Sequence, residues 1–135
     1  MSSAADKAAD KAQAITDTVN RYIALVADGT ADELAGMYAD DATLEDPVGG
    51  EVHIGTRAIA GFYSAFASPE AGLRRECELV SLRVSGHEAA FQFRLTVTAG
   101  DHKMRVEPIE TMVFDDRGKV TAMKAYWSAA DMTQL

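Results

Sequence analysis

The sequence predicts an α+β fold: a curved antiparallel sheet with three N-terminal helices packed on its concave face. Three observations carry this reading. Apolar residues of the first half recur with the 3.6-residue period of a helix. Those of the second half alternate with period two, as in strands with one buried face. Turn signals (Ser85-Gly86, Gly100-Asp101 and Asp115-Asp116-Arg117-Gly118) cut the second half into short consecutive runs, the pattern of a meander. Helices first and strands second define α+β, and a curved sheet closed by helices leaves a concave apolar pocket.

In chain order, residues 1–10 are small and polar and read as a frayed tail, leaving 11–135 as a single domain. From about Lys11 a helix is expected, with Val19, Tyr22, Ile23 and Val26 on one stripe and Asp28-Gly29 at its end. Thr30-Ala31-Asp32-Glu33 has capping-box form and opens a second helix through Leu34, Met37 and Tyr38. Ala42 to Asp46 is a short extended segment. Thr56 is expected to cap a third helix with Ile59, Phe62, Tyr63 and Phe66 on its stripe, closed by Pro69 and Gly72. The strands follow at about 74–84, 88–98, 103–114 and 119–127. The first shifts its apolar register near Leu79-Val80, which implies a bulge or bend.

Composition excludes several functions. The chain has 135 residues, 47% of them hydrophobic, and a formal net charge of -8. An acidic surface repels phosphate backbones and anionic lipid, so neither nucleic acid nor membrane is an expected partner. No apolar run approaches the roughly 18 residues of a membrane span. The start, MSSAADKAADKAQA, lacks the apolar core of a secretory signal. Cys77 is the only cysteine, so no intrachain disulfide forms, which fits a reducing cytoplasm; the residue itself reads as packing. His53, His87 and His102 have no metal-ligand spacing, and no phosphate loop or nucleophile elbow occurs. No metal or cofactor is implied.

Two carboxylates stand out. Glu110 alternates onto the strand face of Met104, Val106, Met112 and Phe114, where desolvation would favour its neutral, hydrogen-bond-donating form. The alternative is a bulge at Pro108 that turns Glu110 outward. Asp46 shares a face with Leu44 and precedes Pro47; an Asp in that place is commonly just a turn residue. Tyr22, Tyr38 and Tyr63 lie on apolar stripes, as core residues or as a network of buried phenols. Trp127 needs a partner for its indole N–H.

The segments RYIALVADG (21–29), MYADDATLEDPVG (37–49), IAGFY (59–63), VEPIETMVF (106–114) and MKAYWS (123–128) resemble the bacterial ketosteroid isomerases. These have the cone-shaped fold of the nuclear transport factor 2-like, or SnoaL-like, superfamily. The likeness runs from about Val19 to Ser128. It implies a cofactor-free steroid Δ5-3-ketoisomerase, a family that is itself the standard example of carboxyl pKa tuning. By the same likeness Asp46 is the general base, and Tyr22 donates to the steroid 3-oxygen. Glu110 stands where the family has a protonated aspartate, a departure of one methylene. Tyr38 and Tyr63 match tyrosines that extend the hydrogen-bond network. Trp127 matches a tryptophan that bonds the base. Phe91, Phe93, Leu95, Met112 and Met123 match apolar pocket-wall positions. A homodimer across the outer sheet face (Arg94, Thr96, Arg105, Ile109) is the family's usual assembly. The competing readings are a polyketide-cyclase-like enzyme of the same superfamily and a non-catalytic binder of steroids or other apolar ligands.

Overall fold

A computed structural model of the chain describes residues 3–135. Helix α1 spans Ala4–Asp28. It begins within the stretch expected to fray, because Ser3 and Asp6 form a reciprocal capping box over its first turn. That turn is exposed and alanine-rich, so helix propensity rather than packing holds it; Met1 and Ser2 lie outside the described residues. The buried stripe is Ile15, Val19, Tyr22, Ile23 and Val26, which α1 lays over the sheet. Gly29 ends the helix. A Cβ there would meet the Leu25 carbonyl oxygen at 2.8 Å.

The capping box of Thr30 and Glu33 starts α2 as expected, but α2 covers only Ala31–Ala35. Tyr38 therefore does not lie on a helix. It opens strand β1, Tyr38–Glu45, with a backbone that has already turned extended after Gly36. A short strand β2, Val52–Ile54, pairs antiparallel with β1. Helix α3 spans Thr56–Ala67, and its cap is Gly55 rather than Thr56. Gly55 takes φ of +88°, a conformation open to glycine, which leaves Thr56 as the first helical residue.

The remaining strands are β3 (Arg74–Ser85), β4 (Glu88–Ala99), β5 (His102–Val106), β6 (Ile109–Phe114), β7 (Val120–Tyr126) and β8 (Met132–Gln134). The sheet runs β2-β1-β7-β6-β4-β5-β8, with β3 on the other edge of β4. The register of β3 against β4 slips between Leu79 and Ser81, the bend expected there. Three expectations need correction. The sheet is mixed, because β1 runs parallel to β7. The run 103–114 is two strands, not one. Pro108 has no N–H to give a ladder, so β5 and β6 lie end to end along one edge of β4, joined through Phe93 N–H donating to the Pro108 carbonyl. The three helices are also not all N-terminal to the sheet, since α3 follows β1 and β2.

The core sits between α1, α2 and α3 and the inner sheet face. Leu34, Leu44, Ile59, Met112 and Val120 have no exposure at all. Each such side chain contributes about 1.5–3 kcal/mol of burial. Among the described residues no helix is long and apolar enough to cross a membrane.

Candidate active site

Five elements aim polar side chains into one apolar pocket of about 200 Å³. Tyr22 comes from α1 and Tyr63 from α3. Asp46 sits just past the end of β1, Glu110 on β6, and Trp127 just past β7. Phe93, Leu95, Phe62, Phe66 and Val26 complete much of the apolar lining.

Alternation along β6 places Glu110 inward with Met112 and Phe114, so Pro108 does not turn it out. Its cross-strand partner is Phe91. The carboxyl is 2% exposed and its Oε1 has no hydrogen-bond partner. Burial first, then the nearby negative charge of Asp46, raise its pKa well above the ordinary glutamate value; the Tyr22 hydroxyl beside it pulls the other way. A neutral carboxylic acid, held in an apolar pocket with a free oxygen, is a hydrogen-bond donor awaiting an acceptor.

Asp46 is held differently. The indole Nε1–H of Trp127 donates to its Oδ1 at 2.6 Å. Burial raises the Asp46 pKa, while the Trp127 hydrogen bond and then the charge of His53 lower it. His53 lies opposite Leu44 on β2, with its ring 5.2 Å from that of Phe62. The peptide bond from Asp46 to Pro47 is cis.

The three phenols form one chain. Tyr63 donates to the Tyr22 hydroxyl at 3.3 Å, and the Tyr38 and Tyr63 hydroxyls lie 2.7 Å apart. A phenol has one proton to give. With that of Tyr63 directed at Tyr22, Tyr38 donates to Tyr63, and the proton of Tyr22 is free for a ligand. Burial raises the pKa of all three, which keeps them neutral donors.

The structure thus brings Tyr22, Asp46, Glu110, Tyr63, Trp127, Phe93 and Leu95 to one cavity. Tyr38 stands behind Tyr63. Phe91, Met112 and Met123 are not on the wall; they are packed beneath it as core residues, 2% exposed or less. Phe62, Phe66 and Val26 were visible only as helical stripes, which do not say what they face. Met132, from the C-terminal strand, also lines the pocket, and nothing in its surrounding sequence signalled it. Among the described residues no cluster of metal-ligating side chains occurs.

A helix-covered bent sheet with ionisable groups gathered in an apolar pocket defines a class of small α+β domains. The chain belongs to the SnoaL-like domain family, whose model matches residues 19–123. It is 46% identical over 114 residues to a Steroid Delta-isomerase of Nocardioides simplex, covering 84% of this chain and 89% of that one. Among solved structures it is similar to SalBIII, an epoxide hydrolase/cyclase-like enzyme of pyran ring formation in the polyether salinomycin. That likeness has a TM-score of 0.80 at 22% identity, over 91% of this chain and 97% of that one. A crystal structure from Mycobacterium tuberculosis also has a TM-score of 0.80, at 21% identity, over 90% and 96% of the two chains. At these identities the structures share the fold alone.

Proposed function

We propose that the protein is a steroid Δ5-3-ketoisomerase, which moves the Δ5 double bond of a 3-oxo steroid to Δ4. The observation that carries this reading is the meeting, in one apolar pocket, of a carboxylate with a neutral acid and a free phenol. Asp46 removes the C4 proton, and the electrons run through C3 onto the carbonyl oxygen, giving a dienolate. Tyr22 and neutral Glu110 donate to that oxygen as its charge grows. Donors fixed in place before the charge develops are the largest usual source of such catalysis. Asp46 then returns its proton at C6 and the carbonyl re-forms. An ionised Glu110 would repel the oxyanion, so its unpartnered, desolvated position suits the step. Its extra methylene, relative to the aspartate of the family, fits a carboxyl that reaches the oxygen by a different rotamer. The closeness to the Nocardioides simplex enzyme supports the same substrate class.

The outer sheet face suits a homodimer. Ile109 and Tyr126 are cross-strand partners there and are 49% and 47% exposed. Sedimentation at micromolar concentration should give twice the chain mass, and the monomer mass would refute the dimer. A cytoplasmic site of action fits the single, half-buried Cys77, whose thiol burial pushes up to about 12 and so keeps unreactive.

The test of the activity is ultraviolet absorbance of the conjugated enone on adding a Δ5-3-oxo steroid. Rapid conversion by the wild-type protein is expected. Saturable steroid binding without conversion would overturn the isomerase and leave a binding protein.

A further inference from the structure

The apolar inner face of the sheet continues past the helices that cover the active site. Along β4 the inward residues run Phe91, Phe93, Leu95, Val97, Ala99. The first two are buried, Leu95 and Val97 are half-buried, and Ala99 is exposed. Beyond Leu95 this face lines a second cavity of about 420 Å³ with Leu73, Met104 and Met132. The two cavities share Leu95, Val106 and Met132, so the outer one begins where the inner one ends.

Size and length both call for the second cavity. Small-molecule sites commonly enclose about 300–1,000 Å³. The inner pocket at about 200 Å³ falls short, and the two joined fall inside that range. The strand ladder serves as a ruler. Glu110 pairs with Phe91, and Val106 pairs with Leu95 four residues further along β4. Four fused rings are on the order of 10 Å long, and four strand residues at ~3.3 Å each make about 13 Å. A steroid with its 3-oxygen at the Glu110 row therefore ends its rings near the Leu95 row. The next row, Val97 with Met104, is apolar up to Gln134 at its β8 end, and Met104 is 39% exposed. His102, paired with Ala99, stands one row further on.

We propose that the outer cavity is a second subsite that takes an alkyl chain on ring D, so that the preferred substrates are Δ5-3-oxo steroids with a hydrocarbon side chain at C17. This rests on the isomerase reading. The wild-type protein and Val97→Trp are assayed with two Δ5-3-oxo steroids, one with a branched alkyl chain at C17 and one with only an oxygen there. Wild type should favour the alkyl compound in kcat/KM by about tenfold or more, as burial of several methylenes predicts. Val97→Trp should remove that preference and leave the compact substrate within about twofold. Ala99→Trp, at an exposed position, should do the same in smaller measure and serves if Val97→Trp does not fold. An unchanged substrate ratio in the folded variants, or no wild-type preference for the alkyl compound, overturns the subsite. If wild type converts neither steroid, the isomerase reading fails and calorimetric binding of the two Δ4-3-oxo steroids decides the subsite separately. Tighter binding of the alkyl compound by wild type alone upholds it, and equal binding by wild type overturns it.

Discussion

The loop wall of the pocket and its strand wall each carry a carboxyl group, and the two are held in opposite ways. On the loop wall, Asp46 accepts a hydrogen bond from Trp127 and feels the charge of His53, and both favour the ionised form. On the strand wall, Glu110 faces aromatic rings, and its Oε1 accepts nothing. Burial raises both; against it Asp46 has Trp127 and His53, whereas Glu110 has only the Tyr22 hydroxyl and is raised further by the charge of Asp46. The same functional group is thus prepared as a base on one wall and as an acid on the other, by surroundings alone.

Substitutions that erase this difference should cost most. Asp46→Asn keeps shape and the Trp127 contact yet cannot accept the proton. A loss of about 10²–10⁴-fold in kcat is expected, the usual range for a general base. Near-wild-type turnover would remove Asp46 from the chemistry. On the other wall, Glu110→Ala should cost about 10²–10³-fold, the usual loss of one oxyanion donor. Glu110→Gln, a donor at every pH, should recover most of that loss. The pair separates a donor role from a merely space-filling one.

Glu110 also ties stability to pH. Its folded pKa lies above the unfolded value, so the native state holds a proton that the unfolded chain releases. Its contribution is complete below the ordinary glutamate value. It is lost as pH rises from there through the raised folded pKa. Urea denaturation across that window should show the wild type losing stability relative to Glu110→Gln as pH increases. A difference independent of pH would mean that Glu110 is ionised in the fold.

The unevenness between the walls also explains what the sequence disclosed. Glu110 was legible only in part: alternation with Met112 and Phe114 offered an inward face and a bulge at Pro108 an outward one, and the structure shows that Pro108 kept the parity while splitting the strand. Asp46 was not legible from pattern, since one turn aspartate before a proline looks like another. Only the likeness of the EDP segment singled it out. Tyr38 was placed on a helix because its spacing from Leu34 is helical, whereas α2 stops after a single turn and the tyrosine reaches Tyr63 from a strand. The C-terminal strand β8 was missed entirely. Its three residues are exposed and too few to show a period, yet Met132 lines the pocket.

Smaller effects should follow from the supports of each wall. Trp127→Phe removes the donor that lowers the Asp46 pKa, so that pKa should rise further. The base must be ionised to work. The acid limb of the kcat/KM profile should therefore move to higher pH, with a loss of several-fold near the limb and little loss well above it. A uniform loss at every pH would mean that Trp127 only shapes the pocket.

The least effect is expected from Tyr38→Phe. Tyr38 donates to Tyr63, and Tyr63 still donates to Tyr22 without it. The free proton of Tyr22 thus keeps its direction, and only the polarisation passed along the chain is lost, on the order of 10–30% per bond. Turnover should fall by about two- to fivefold with KM nearly unchanged, because a stronger donor matters most when the oxygen bears charge. Stability should fall by about 1 kcal/mol, the usual net worth of one hydrogen bond. A loss in turnover as large as that of Glu110→Ala would show that Tyr38 orients Tyr22 rather than merely strengthening it.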